Sequence, residues 1–206
     1  MVIAGHNGAG KTTFYRERLE GSLASFLVDY INPDDIERAV ATDLGESSPS
    51  KDELEKVAAA EATRRRLQHL ERDNSFSFET GFSDQVLDKV AFMERARQRG
   101  YLVVLMAVGL MSIEKCKERV AIRHAGGGHD IRADKLERRY DRVLRNFAHG
   151  AHSASLAIYL DNSEDRVEGG EDTYWDIAFF EDGLLVCKDE SPPRWWLEVE
   201  RMQSEA

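Results

Sequence analysis

The sequence predicts an α/β fold: a parallel sheet of about five strands with helices on both faces, plus a small C-terminal antiparallel hairpin. Three observations lead there. The stretch Gly5-His6-Asn7-Gly8-Ala9-Gly10-Lys11-Thr12 fits the phosphate-loop pattern G-x-x-x-x-G-K-[ST], and it lies between apolar Val2-Ile3-Ala4 and a helical run from Lys11 to Glu20. Short β-prone runs alternate with longer charged helical segments, as in βαβ units. The run Tyr101 to Val108 is nearly all apolar, the pattern of a strand buried on both faces of a parallel sheet.

The elements follow in order. After the first helix, Ser25 to Ile31 reads as the second strand. It closes at Asn32-Pro33-Asp34-Asp35, where Pro33 stops the strand and Asp34 or Asp35 caps the next helix. Ser50 and Glu53 form a capping box for a long helix to about Arg72. Within it, Arg64-Arg65-Arg66 reads as a solvated face or as ion-pair partners. Ser75 to Ser83 alternates polar and aromatic residues, a strand entering a turn. A helix from Asp84 to Arg99, capped by Thr80 or Ser83, then ends at Gly100. Ser112 caps a helix carrying Arg119 and Arg123. Residues 125–132, with Gly126-Gly127-Gly128 and His129, read as a mobile lid flanked by Arg119, Arg123 and Arg132. Residues 133–147 form a charged helix in which Arg139 is the arginine expected to face the site. Ser155 to Leu160 is the last core strand, closed by Asp161-Asn162-Ser163, either the adenine side of the site or plain turn chemistry. A hairpin over 177–187 and a short helix with Trp195 and Trp196 complete the chain, the tryptophans packing the appendage. The expected division is a core at 1–163 and an appendage at 164–206.

Bulk properties narrow the function. A chain of 206 residues is long enough for a sizeable core. The net charge of -10 argues against a general nucleic-acid or membrane binder. No apolar run approaches the ~20 residues that span a bilayer, and the chain opens directly on a strand, so no signal peptide is expected. Cys116 and Cys187 lie in no metal-ligand spacing, which suits two thiols in a reducing cytoplasm.

The candidate chemistry is phosphoryl transfer. Gly5, Gly8 and Gly10 let the loop bring N–H groups onto phosphate oxygens, and the helix that follows points its positive end there. The nucleotide set is Gly5, His6, Asn7, Gly8, Ala9, Gly10, Lys11, Thr12 and Thr13, with Arg123 from the lid side. Lys11 reaches the β- and γ-phosphates, and Thr12 offers its hydroxyl to Mg²⁺. Asp34 or Asp35, at the carboxyl end of the second strand, is placed to accept a proton from a substrate hydroxyl. Glu79 and Thr80 lie on the same edge, where Glu79 orients Mg²⁺ through water or binds a substrate hydroxyl. Lid arginines would stabilise charge on the transferring group. A plain ATPase or ATP-driven switch and a nucleic-acid end kinase are the competing readings, the charge disfavouring the last.

Taken in order, Gly-His-Asn-Gly-Ala-Gly-Lys-Thr-Thr, Tyr-Ile-Asn-Pro-Asp-Asp-Ile, Phe-Ser-Phe-Glu-Thr, Gly-Gly-His-Asp-Ile, Arg-Arg-Tyr and Asp-Asn-Ser resemble the zeta toxin family of P-loop kinases. The closer likeness is to its chromosomal branch, often labelled predicted ABC-type ATPases. The resemblance covers about residues 1–163. It implies a three-layer P-loop kinase fold and phosphorylation of a sugar hydroxyl by ATP or GTP with Mg²⁺, UDP-N-acetylglucosamine being the substrate class. It also implies an epsilon-type antitoxin partner in the toxin branch. By the same resemblance Asp34 is the catalytic base with Asp35 the competing register, Glu79 the substrate-contacting acid and Arg119 the first lid arginine. The second is Arg132 by spacing or Arg123 by proximity to the glycines. Arg132 stands where relatives often have proline after His-Asp-Ile, and the hairpin-plus-tryptophan tail departs from the plasmid toxins.

Overall fold

The computed structural model describes residues 1–24, 29–45, 49–125, 131–165 and 173–205. Strand β1 (Val2–Gly5) leads through the loop into α1 (Lys11–Phe14), which continues as a π-helical turn (Tyr15–Leu19) into α2 (Glu20–Leu23). There follow β2 (Tyr30–Ile31), α3 (Pro33–Leu44), α4 (Lys51–Glu71), β3 (Ser77–Thr80) and α5 (Asp88–Gln98). Next come β4 (Val104–Gly109), α6 (Ile113–Ala125), α7 (Ala133–Ser153) and β5 (Leu156–Asp161), and the chain ends with β6 (Trp175–Glu181), β7 (Leu184–Lys188) and α8 (Arg194–Ser204). The seven strands form one sheet in the order β2-β3-β1-β4-β5-β6-β7. The first five are parallel, and β6 and β7 are antiparallel additions beyond β5.

Strand periodicity sorts the core into two layers. Val2, Ala4, Leu105, Ala107, Ala157 and Tyr159 face a large cluster with residues of α4, α5, α7 and α8. Ile3, Met106, Val108 and Leu160 face a smaller one with Phe14, Leu110 and Cys116. The expected three-layer architecture is therefore present, and β4 is covered on both faces as its apolar run predicts.

Several local expectations are corrected. The second strand is Tyr30–Ile31, and residues 25–28 of the expected run lie outside the described residues. Asn32, not Asp34 or Asp35, caps α3: its Oδ1 accepts from the Asp34 N–H at 2.9 Å, and Pro33 takes the first helical position, where no N–H is needed. Helix α5 begins at Asp88, because Leu87 sits at φ 55° and interrupts the segment from Asp84. Helix α7 runs on to Ser153. The capping box of Ser50 and Glu53 is formed. Trp195 and Trp196 are 1% and 0% exposed and pack into the main core rather than a separate tail. The expected lid residues 126–130 lie outside the described residues. Among the described residues no helix is long and apolar enough to cross a membrane.

Candidate active site

The parallel order brings the carboxyl ends of β1, β2 and β3 side by side, with Ile3 opposite Glu79 and Ala4 opposite Thr80 in the β1–β3 register. Glu79 is the hub. Its Oε2 accepts from Thr12 Oγ1 at 2.7 Å, Tyr30 OH at 2.7 Å and Asn32 Nδ2 at 3.3 Å. Its Oε1 lies 3.8 Å from Lys11 Nζ, which also donates to His6 O at 3.0 Å. Both Lys11 and Glu79 are 7% exposed, so the ion pair is largely desolvated. Burial and the neighbouring Glu79 push the Tyr30 hydroxyl well above its ordinary range, keeping it a donor.

The phosphate loop is braced from the far end of the chain. Asn162 Nδ2 donates to Ala9 O at 2.9 Å, and Tyr174 OH donates to Gly10 O at 2.8 Å. Gly10 has φ 82°, and a Cβ there would sit 2.6 Å from Tyr174 Oη and 2.7 Å from Asn162 Nδ2, so only glycine fits. His6 contributes its carbonyl to Lys11, while its ring is turned into the core and stacks on Tyr140 at 4.4 Å between centroids. Burial, then the nearby Lys11 charge, lower its pKa to about 3, which keeps it neutral.

Two clefts flank this centre. One, of about 500 Å³, is lined by Gly10, Thr12, Thr13, Arg119, Ile122 and Tyr174. The other, of about 470 Å³, is lined by Asn7, Asp34, Thr80, Arg66, Arg139 and Arg142 among others. They meet at Gly8, Lys11, Glu79 and Arg123, which line both. Asp34 lies 3.8 Å from Arg123 within the second cleft. Asp35 lines neither; it pairs with Arg38 and lies 3.9 Å from Arg16. Thr80 Oγ1 accepts from the Phe82 N–H at 3.0 Å and fixes the turn after β3. Arg119 donates to Asn162 O and Glu164 O and lies 3.2 Å from Asp165 Oδ1, so it stitches α6 to the segment after β5. Arg132 is exposed, pairs with Asp134 at 3.0 Å and lines neither cleft. Sequence reading missed Tyr30, Tyr174, Arg66 and Arg142, and saw Asn162 only as a base-side or turn residue. The Arg64–Arg66 run was the only signal for Arg66, and no local pattern marked Tyr174. The oxygen donors of Thr12 and Glu79 beside a phosphate loop are hard ligands of the kind that suit Mg²⁺.

A phosphate loop between the first strand and first helix of a largely parallel sheet defines a P-loop NTPase. The family model described as AAA domain matches residues 1–149, and the chain belongs to that family. No curated protein matches the chain. Among solved structures, AvrRxo1-ORF1:AvrRxo1-ORF2 with sulphate ions is similar at a TM-score of 0.58 and 14% identity, over 98% of this chain and 63% of that one. This chain therefore spans under two thirds of that relative's length. The PezAT chromosomal toxin–antitoxin system of Streptococcus pneumoniae is similar at a TM-score of 0.53 and 13% identity, over 99% of this chain and 84% of that one. The fold is thus shared with both of these structures.

Proposed function

We propose that the protein is a small-molecule kinase. It transfers the γ-phosphoryl group of ATP, or GTP, to a hydroxyl of an acceptor held beside Asp34, and a UDP-activated amino sugar such as UDP-N-acetylglucosamine is the acceptor class. The observation behind this reading is the pair of clefts that meet at Gly8, Lys11, Glu79 and Arg123. A nucleotide hydrolase needs one of them; a transferase needs both, with the γ-phosphate at the junction.

The nucleotide lies in the cleft of Thr13, Arg119 and Tyr174, its phosphates in the loop. Lys11 draws charge from the β- and γ-oxygens. Asp34 accepts the proton of the acceptor hydroxyl as its oxygen bonds to the γ-phosphorus; the bond to the β,γ-bridging oxygen breaks and the diphosphate leaves. When bound with the nucleotide, Mg²⁺ supplies positive charge at those oxygens, and Thr12 and Glu79 are the residues that would hold it. Arg123, shared by both clefts, is nearer this junction than Arg132 and is our choice for the second arginine. A cytoplasmic setting and an antitoxin partner belong to the same proposal. In its support, both solved relatives are two-component assemblies, one a toxin–antitoxin system.

Incubation with labelled ATP, Mg²⁺ and a panel of UDP-sugars, with products resolved by mass, tests the reading. One phosphorylated sugar nucleotide is expected from wild type and none from Lys11→Ala. ATP hydrolysis that is identical with and without every acceptor, with no phosphorylated product, would move the protein to the ATPase class.

A further inference from the structure

The two edges of the sheet are unlike. Strand β2 at one edge is only Tyr30–Ile31. Strand β7 at the other runs from Leu184 to Lys188, and all of its residues are exposed. Leu184, Leu185 and Val186 are 73%, 45% and 55% exposed. Among the described residues nothing pairs with the outer side of β7. Alternate N–H and C=O groups of such an edge point outward without a ladder partner. Edges are ordinarily guarded by shortness, charge, proline or a bulge. Here the guards are Lys188 at the end and a register shift opposite Phe179 and Phe180. The run Leu184-Leu185-Val186-Cys187 carries no charge.

Apolar side chains stand on both faces of this edge. Leu185 is opposite Phe180, whose ring lies 6.1 Å from that of Trp196 on α8. Leu185 is therefore on the α8 face of the sheet, and Leu184 is on the other. Lys188 reaches Glu200 of α8 at 2.7 Å, and Leu197, an exposed residue, lies one turn earlier on that helix face. A strand added to β7 would meet Leu185 and Leu197 on one face and Leu184 on the other.

The surroundings are acidic. Asp176, Glu181, Asp182, Asp189 and Glu190 are exposed on or beside the hairpin, and Lys188 is the one cation between residues 175 and 190. Lys188 is already engaged by Glu200. These charges decide between occupants. A second copy paired about a two-fold axis would run antiparallel and set Asp189-Glu190 of each chain near Glu181-Asp182 of the other, which repel. A strand with basic ends meets an opposite potential at both ends. Strand β7 lies four strand spacings from β1, roughly 19 Å, so an occupant there leaves the phosphate loop open.

We propose that the outer edge of β7 is a docking site for another protein. That protein adds an extended strand with apolar residues in its middle and lysine or arginine at its ends. Main-chain hydrogen bonds to the edge give the attachment, and Leu184, Leu185 and Leu197 select the apolar side chains. The site lies beyond the family match, which ends at residue 149, and does not depend on the kinase reading.

The test uses the full chain and a labelled nine-residue peptide, in which valine and threonine alternate over five positions between two lysines at each end. Amide hydrogen exchange locates the peptide. Alkylation of Cys187 gives a second readout, because Cys187 is exposed and Cys116 is buried. The peptide should slow exchange within 184–188 and slow alkylation of Cys187, and a bound ATP analogue with Mg²⁺ should leave its affinity unchanged. The same peptide with glutamate for lysine should bind at least about tenfold more weakly. A version with proline at its centre should give no protection, since it loses a ladder donor. Leu185→Asp separates docking from bulk charge: it adds attraction for lysine but removes an apolar wall. Binding weakened severalfold supports the edge, and strengthened binding overturns it. Should Leu185→Asp unfold, the exchange map of wild type decides. Exchange unchanged within 184–188, protection confined to the residues lining the two clefts, competition by the ATP analogue, or equal binding of the lysine and glutamate peptides overturns the proposal. Exchange within 184–188 that slows with protein concentration and no peptide also overturns it, and gives the edge to a second copy.

Discussion

Asp34 and Asp35 are adjacent in the first turn of one helix, and their surroundings separate them. Asp34 opens into the cleft of Arg66 and Arg139, whereas Asp35 pairs with Arg38 on the exposed side. Since Asn32 holds the cap, neither aspartate is needed to end the strand or start the helix. Asp34→Asn therefore lowers transfer to the acceptor by about 10² to 10⁴, the usual contribution of a general base, while calorimetric affinity for the nucleotide stays near wild type. Asp35→Asn has a far smaller effect, because it removes one exposed ion pair. Equal losses in the two variants would sink the assignment. His6 supplies a second residue-scale prediction, in stability rather than rate. Its folded pKa of about 3 lies below the unfolded value of about 6.5, so the unfolded chain binds the proton first. Above about pH 6.5 both states are neutral there; as pH falls from 6.5 toward 3, stability drops by about 1.4 kcal/mol per pH unit from this group. His6→Phe keeps a ring against Tyr140 and removes the titration. Denaturant unfolding across that window should give a shallower acid limb for the variant; parallel limbs would exclude His6 as a source of acid sensitivity.

At the scale of elements, what could be read from sequence is what depends on near neighbours. The phosphate loop, the capping box at Ser50 and the buried β4 run each lie within one short stretch, so spacing alone reveals them. The α3 cap was missed because Asp, Asn and Pro compete over four consecutive residues, and Pro33 at the first helical position decides for Asn32. Glu79 could be placed at a strand's end, but not that Thr12, Tyr30 and Asn32 converge on one of its oxygens. Asn162 and Tyr174 hold the loop across 153 and 164 residues, a separation at which no periodicity carries information. The bracing has a measurable consequence. Tyr174→Phe removes the donor to Gly10 O while keeping the ring against Phe14, at 5.0 Å between centroids. The lost bond contributes about 1 kcal/mol. Because it orders the loop before the nucleotide arrives, the KM for ATP should rise about fivefold in initial-rate assays, with kcat at saturation nearly unchanged. A fall confined to kcat would mean that Tyr174 acts on the transfer step instead.

The last prediction concerns the whole molecule and the part of the chain beyond residue 163. The family match ends at residue 149, before β5, yet the sheet does not stop there. Strand β6 adds antiparallel to β5, and Ile177, Ala178, Phe180, Trp195, Trp196 and Val199 enter the same core cluster as Phe147 and Tyr159. Trp195 Nε1 donates to Asp161 Oδ1 at 2.6 Å, and that carboxylate also accepts from the hydroxyl and the N–H of Ser163, at 2.7 and 3.1 Å. Gly109 leaves room for this: a Cβ there would lie 2.4 Å from the Trp195 ring. A chain cut after residue 163 would expose this face, and two buried tryptophans alone are worth several kcal/mol of burial, comparable with the ~5–15 kcal/mol that holds a domain together. The full chain should therefore unfold in a single transition in which tryptophan fluorescence and far-UV circular dichroism coincide. The 1–163 fragment should lack a cooperative transition and the ability to bind a fluorescent ATP analogue, because Tyr174 is gone from the loop as well as the tryptophans from the core. A fragment that melts cooperatively and binds the analogue with wild-type affinity would show instead that the first five strands are sufficient and that residues 164–206 are an independent addition.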